Sequence, residues 1–360
     1  MVKRKGQETS WIRSSLDIMV KSISNPLTDV PKLDYNKIMS GNARDDILQA
    51  MKDYAFFYIV NIPNYDPQAE IEVIKRFFSE PQEIKERYAS AKHNPRNTNV
   101  FRGYGYITNQ AGQPIEETYN IGQFEERDVE IDDVSCRAEY ITREPNMWPA
   151  DNDFPGSEEF RSTLWNGFQV RMRLVRKIVE EIAAGLEFSE FVEKFKEAEF
   201  TGFYLKKYTE REASDNGNHY RASKGYNMKT EDGRDLALAE HTDRAITLLA
   251  TYSNGGLQAF YQGTWYDVPS VMGSLMMMSG DLVEELSDKK VPSLIHRVID
   301  IKADRYSTPF FFSPSYHANI ATSLSGQETE IGKNHSTFGP WQVSWLQEDE
   351  PTLLHANSFN

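Results

Sequence analysis

The 360 residues are 39% hydrophobic, 12% aromatic and 26% charged, which supplies a sizeable core and excludes a disordered chain. A net charge of −14 argues against the basic face that nucleic acid or an anionic membrane surface requires, and its plain reading is solubility. The single cysteine, Cys136, forbids an internal disulfide and fits a reducing, cytoplasmic setting, and no stretch approaches the roughly 20 apolar residues of a membrane span.

Residues 1–30 read as an extension with one amphipathic segment at 11–24, and the basic run Met1–Lys5 has no apolar stretch behind it to make a secretory signal. An extended piece follows at Pro31–Tyr35. Ile47, Leu48 and Met51 give Asp45–Asp53 a helical face, and Phe56–Val60 is a compact apolar strand. Pro67–Tyr88 carries Ile71, Ile74, Phe77 and Phe78 on one helical face. Between His93 and Gly112 the composition shifts to Asn, Gly, Gln and Arg, as expected of a surface loop near the mouth of a site. Glu116–Phe124 is extended again. The longest helical pattern, Glu158–Leu186, places Phe160, Leu164, Phe168, Met172, Val175 and Ile178 at spacings of three and four.

Beyond residue 200 the pattern becomes short strands: Phe203–Tyr208, Ala245–Tyr252, Leu257–Tyr261, Thr264–Val268, Ser274–Met278, His296–Ile301 and Thr308–Phe312. Asn254-Gly255-Gly256, Gln262-Gly263 and Ser279-Gly280 punctuate them. Helices first and many short strands later predict an α+β chain. A helical N-terminal region over 31–200 packs on a double-stranded β-helix, or jelly roll, over 201–315. Residues 316–360 form a weakly patterned tail, a candidate cover for the site.

His241-Thr242-Asp243 opens one of these strands, and His296 opens another. Residues i and i+2 of a strand face the same side, so His241 and Asp243 can grip one ion, with His296 folding back as a third ligand. Two imidazoles and a carboxylate hold a ferrous ion on one face and leave the other positions open. His-x-Asp alone is a common pair. What gives it weight is His296 and then Arg305-Tyr306-Ser307, an arginine and hydroxyl suited to clamp a carboxylate. His296 and Arg305 are nine residues apart, a spacing that fits adjacent strands of one barrel.

The stretch from Glu240 to Pro314 resembles the Fe(II)/2-oxoglutarate-dependent oxygenases of the isopenicillin N synthase-like group. The matching pieces are His241-Thr242-Asp243, Ile246-Thr247-Leu248-Leu249, Gly256-Leu257-Gln258 and Trp265-Tyr266-Asp267-Val268-Pro269, followed by Gly280-Asp281, His296-Arg297-Val298 and Arg305-Tyr306-Ser307. Phe56–Asn61, Glu117–Gly122 and Asn146–Pro149 extend the resemblance over about residues 31–315. It implies that His241, Asp243 and His296 ligate iron, and that Arg305 and Ser307 bind the distal carboxylate of 2-oxoglutarate. Tyr208 matches a tyrosine that reaches the same cosubstrate, or is a core tyrosine. Fe(II), 2-oxoglutarate and O2 are then the cofactors, with ascorbate a candidate reductant. The implied reaction is activation of a substrate C–H bond, ending in hydroxylation, desaturation or ring closure, with release of succinate and CO2. Two alternatives stand beside it. One is a 2-oxoglutarate-independent oxidase of the isopenicillin N synthase type, in which the same arginine and serine hold the substrate. The other is a barrel that binds without catalysis, which retention of all three ligands disfavours.

Departures from the pattern bear on the substrate. Lys206-Lys207-Tyr208-Thr209 stands where the group has Asn-Tyr-Tyr-Pro, Arg244 follows the aspartate ligand, and a polar insertion spans 209–240. Arg221 and Arg244 either form a cationic mouth for an acidic, amino-acid-derived metabolite or belong to a solvated loop rich in both charges. Arg102, in the segment that contributes to the family's substrate pocket, is a third candidate substrate contact, or a loop arginine paired with surface acids. Ring closure on a carboxylate-rich amino acid, as in the kainoid synthases, would suit the basic insertion.

Overall fold

The computed structural model describes residues 26–126, 137–210, 225–252 and 255–349; the segment at 11–24, Cys136 and Arg221 lie outside them. In chain order the elements begin with β1 (Lys32–Asp34), α1 (Tyr35–Met39), α2 (Arg44–Tyr54), β2 (Phe56–Val60), α3 (Pro67–Ser79) and α4 (Gln82–Arg87). They continue with β3 (Gly103–Thr108), β4 (Pro114–Ile121), α5 (Arg137–Thr142), α6 (Ser157–Leu186) and α7 (Glu190–Lys194). The second half contains β5 (Gly202–Tyr208), β6 (Leu236–His241), β7 (Ile246–Thr251), β8 (Leu257–Tyr261), β9 (Thr264–Asp267) and β10 (Leu275–Ser279). It ends with α8 (Asp281–Leu286), β11 (His296–Ile299), β12 (Arg305–Phe312) and α9 (Phe338–Asp349).

The strands form two sheets, a large one ordered β1-β2-β10-β7-β12-β5-β4-β3 and a small one ordered β6-β11-β8-β9. Together they make the jelly roll. The large sheet draws strands from both the 31–200 and the 201–315 regions, so the N-terminal half completes the sheet as well as covering it. Two apolar clusters result. One lies between the large sheet and the helices and includes Phe77, Phe160, Phe168, Leu248 and Phe310. The other lies between the sheets and includes Tyr208, Leu249, Leu257, Met278 and Val298. Strand β10 feeds both, because side chains alternate across a sheet: Met276 and Met278 face the small sheet, and Met277 faces the helices.

The expected helix 67–88 is two helices. Glu80 is extended, with φ −63° and ψ 152°, because the ring of Pro81 disfavours a helical residue before it and removes an N–H. The loop expected at 93–112 holds an edge strand, β3, paired with β4 from Gly103↔Asn120 to Thr108↔Pro114. Its Gly and Asn content concealed the Tyr104/Tyr106 alternation. Strand β6 lacked a strand signal in the sequence, and α9 lies in the weakly patterned tail.

Two expectations about the site's scaffold are corrected. His241 is the last residue of β6, and Asp243 lies in the turn before β7, so a turn rather than strand alternation brings them together. His296 and Arg305 lie in different sheets, because the chain crosses the sandwich between β11 and β12.

A buried ion pair ties the helical layer to β12. Arg171 on α6 donates to both carboxylate oxygens of Glu70 on α3, at 2.7 and 2.8 Å. Glu70 also accepts from the Tyr252 hydroxyl at 2.6 Å and from Thr308 at 3.3 Å. Removing one member strands a buried charge, so Glu70→Ala is expected to cost about 3–5 kcal/mol in a denaturant-unfolding measurement. A loss under ~1 kcal/mol would show that the pair adds little to the fold.

Candidate metal and cosubstrate site

Strand β11 pairs antiparallel with β6 so that His296 stands directly opposite His241, and the two imidazole centroids are 4.2 Å apart. Asp243 Oδ1 lies 3.8 Å from His241 Nε2 and 3.9 Å from His296 Nε2. Among the described residues, these three form the group of His, Cys, Asp and Glu side chains able to hold a metal ion, with one ligand atom from each all within 4.8 Å of one another.

Neighbouring backbone sets their chemical state. His241 Nδ1 lies 2.8 Å from the Ala239 carbonyl, and His296 Nδ1 lies 3.0 Å from the Leu294 carbonyl. A carbonyl can only accept, so each Nδ1 carries the hydrogen and each Nε2 turns a lone pair towards Asp243. Burial first, and the adjacent His296 second, push the His241 imidazole down to about 3, which keeps it neutral and ready to ligate. Thr247 donates to Asp243 Oδ2 at 2.6 Å, leaving Oδ1 for the ion.

The turn that carries Asp243 is pinned from below. Asp281 N–H donates to the Asp243 carbonyl at 2.9 Å, Leu282 N–H to that of Arg244 at 2.9 Å, and Gly280 N–H to that of Ala245 at 2.6 Å. A side chain at Gly280 would meet the Asp243 carbonyl oxygen at 2.1 Å, so only glycine admits this approach.

The triad opens on a cavity of about 380 Å³ between the sheets, a volume typical of small-molecule sites. Alternate residues of β12 line it, Arg305, Ser307, Pro309 and Phe311, as do Tyr204, Lys206 and Tyr208 of β5. At one end Arg305 pairs in register with Tyr208, and Ser307 with Lys206. All of Arg305, Ser307 and Tyr208 are buried. Arg305 donates through Nε to the Gly255 carbonyl at 2.8 Å, and its guanidinium lies 5.5 Å from the Tyr208 ring centre. Its remaining nitrogens have no ion pair among the described residues, and the Ser307 and Tyr208 hydroxyls have no hydrogen-bond partner there. Burial opposes the charge on Arg305 and lowers its pKa, a cost that an anionic guest offsets. Cation, hydroxyls and triad together fit a chelating keto acid bound to a metal.

The other predicted residues divide. Arg244 lines the cavity, with its guanidinium 4.9 Å from the Trp345 ring centre on α9. Lys206 also lines it, its ammonium 3.1 Å from Glu116, whereas Lys207 alternates to the opposite face near Glu117 and Asp304. Arg102 is corrected. It is fully buried behind the cavity wall, donating to the carbonyls of Ile121 at 3.1 Å and Thr201 at 2.9 Å. Gly122 and Gly202 leave the space its guanidinium fills. It is a backbone staple and does not line the cavity. The insertion is partly clamped to the small sheet, where Arg297 holds Glu231 at 3.0 Å and Lys302 holds Asp235 at 2.9 Å.

Sequence reasoning passed over Tyr204, Thr247 and Gln342, all of which line the cavity. The period of two gave a signal for Tyr204, four residues before Tyr208 on one strand. Gln342 offered none. Burial pushes the Tyr204 phenol up to about 12 although Arg102, Arg244 and Lys206 pull the other way, so it is a neutral hydrogen-bonding group.

A jelly roll with a His-Asp-His cluster and a carboxylate clamp defines a non-haem iron oxygenase. The profile of the 2OG-Fe(II) oxygenase superfamily matches residues 215–314, and that of the non-haem dioxygenase in morphine synthesis N-terminal region matches 26–151. The chain belongs to the 2OG-Fe(II) oxygenase superfamily, and is an oxidoreductase of the kind that requires Fe(II), 2-oxoglutarate and O2. Among its relatives, the 2-oxoglutarate-Fe(II) type oxidoreductase hxnY of Emericella nidulans is 28% identical over 306 residues, covering 79% of this chain and 80% of that protein. Isopenicillin N synthase of Amycolatopsis lactamdurans is 27% identical over 308 residues, covering 82% and 88%. The crystal structure of a 2OG-Fe(II) oxygenase family protein from Caulobacter crescentus superposes with a TM-score of 0.61 at 22% identity, covering 89% of this chain and 99% of that one. No helix among the described residues is long and apolar enough to cross a membrane.

Thr247→Val removes the hydrogen bond that orients Asp243. It is expected to weaken Co(II) binding about 10-fold or more in a spectroscopic titration of the metal-free protein. Unchanged affinity would show that the turn alone orients the carboxylate.

Proposed function

We propose that this protein oxidises a C–H bond of a small, acidic, amino-acid-derived metabolite, by hydroxylation, desaturation or ring closure, in specialised metabolism. His241, Asp243 and His296 hold the ferrous ion. Arg305 and Ser307 hold the distal carboxylate of 2-oxoglutarate, and Tyr208 closes the same end. The observation that carries this reading is the buried Arg305 guanidinium, hydrogen-bonded to protein only through Nε among the described residues, beside the Ser307 and Tyr208 hydroxyls, which have no hydrogen-bond partner there, in the cavity that the triad opens on.

When bound, iron and 2-oxoglutarate would supply the oxidising chemistry together with O2, one oxygen atom of which goes to succinate as the keto acid loses CO2 and the other to the product or to water. The chain's own residues supply positioning. The Ala239 and Leu294 carbonyls hold each imidazole with its lone pair inward, and Thr247 fixes the carboxylate. Arg305 and Ser307 stand on one strand, so they orient the cosubstrate along a single line. Leu249, Leu257 and Val298 line the cavity with apolar surface and exclude water from it. Arg244 supplies the charge that favours an acidic substrate.

Arg305→Gln is expected to raise the apparent Michaelis constant for 2-oxoglutarate roughly 10–100-fold, the worth of charged hydrogen bonds, with iron affinity retained. His296→Ala should abolish iron-dependent turnover. Succinate measured against product over a panel of amino-acid derivatives tests the whole reading. One succinate per product, with product mass raised by one oxygen or lowered by two hydrogens, supports it. Product without succinate would favour an oxidase that dispenses with 2-oxoglutarate.

A further inference from the structure

Helix α9 lies beyond the stretch matched by the superfamily profile, yet it places Gln342 in the cavity wall. The residue is 6% exposed, and its carboxamide has no hydrogen-bond partner among the described residues. Lining the cavity, this amide can bond a guest there. It has company. The Tyr204 hydroxyl faces the same cavity and also lacks a partner among the described residues, and Arg244 lines the same wall.

These groups stand apart from the cosubstrate end. Along β12 the cavity-facing row runs from Arg305 to Phe311, roughly 20 Å at strand spacing. On β5, Tyr204 stands four residues from Tyr208, roughly 13 Å at strand spacing, towards the Phe311 end of that row. Tyr204 meets Phe311 edge-on at 4.9 Å, and Phe101 lies 5.1 Å from Phe200 and 5.7 Å from Tyr204. An apolar aromatic surface therefore adjoins three polar groups, two of them without a hydrogen-bond partner among the described residues.

We infer that Gln342, Tyr204 and Arg244 form a substrate subsite that holds a carboxylate, while the substrate's apolar part rests on Phe101, Phe200 and Phe311. The ligand class is an amphiphilic acid, a carboxylate joined to a hydrocarbon or aryl group. Gln342 donates through its amide nitrogen and Tyr204 through its hydroxyl, with Arg244 supplying the counter-charge. This rests on the proposed function and names how that site selects its guest.

The test uses the full chain loaded anaerobically with Fe(II) and 2-oxoglutarate and titrated calorimetrically. The probes are N-benzoylglycine, N-benzyl-L-glutamate and 3-phenylpropanoate, each beside its methyl ester. At least one acid should bind, with its ester at least about tenfold weaker, and Gln342→Leu and Tyr204→Phe should each weaken the acid about tenfold. The Kd for 2-oxoglutarate, measured without probe, should stay within about twofold in both variants. Gln342→Glu, checked by that same Kd, keeps the side-chain shape and should abolish acid binding by repulsion. Equal binding of acids and esters, no binding by any acid, or an unchanged acid Kd in Gln342→Leu would each overturn the inference. Failure of the wild-type chain to bind 2-oxoglutarate would instead overturn the functional reading beneath it.

Discussion

Antiparallel pairing of β6 with β11 sets His241 opposite His296, and the rest of the site follows from that register. A slip of one residue would turn one imidazole to the other face of the small sheet. Two backbone carbonyls then fix both tautomers, so the lone pairs converge without any charged neighbour being needed. The third ligand arrives by a different device. Asp243 rides a turn that has no sheet partner, and α8 secures it through the N–H groups of Gly280, Asp281 and Leu282. That arrangement explains why a glycine and an aspartate stand in sequence well beyond the ligand they serve.

The cavity between the sheets gathers polar groups that the fold leaves open to a guest. A protein interior rarely tolerates buried cations and hydroxyls lacking hydrogen bonds, because each forfeits its hydration. In this cavity the polar side chains are grouped at two ends. Arg305, Ser307 and Tyr208 mark one end, and Gln342 and Tyr204, with Arg244 beside them, mark the other. Deeply buried carboxylates elsewhere are matched instead. Glu70 meets Arg171, Tyr252 and Thr308, and Glu144 accepts three backbone N–H groups from Val100, Phe101 and Arg102.

Much of this was legible in the chain. The expected Asp45–Asp53, Glu158–Leu186 and Phe56–Val60 agree to within a residue with the observed Arg44–Tyr54, Ser157–Leu186 and Phe56–Val60, because burial of one face is a local pattern. That His241, Asp243, His296, Arg305 and Ser307 come together was also legible, and they line one cavity, since the proposed chemistry demands particular residue types at particular spacings. Strand β3 was not, because an edge strand of glycine and tyrosine carries loop composition. Arg102 misled for a related reason. A charged residue in a polar stretch reads as exposed, and only packing shows that Gly122 and Gly202 make room for it.

The sequence by itself determined the residue types of the candidate iron site and of the proposed carboxylate clamp, and the strand-rich second half, because ligand chemistry and hydrophobic periodicity are written in local pattern. Tertiary structure alone decided that Asp243 comes from a turn, that His296 and Arg305 belong to opposite sheets, and that Gln342 of the tail reaches the cavity. Those facts depend on which distant segments share a sheet or a wall, and that is set by the packing of the whole chain rather than by any stretch of it.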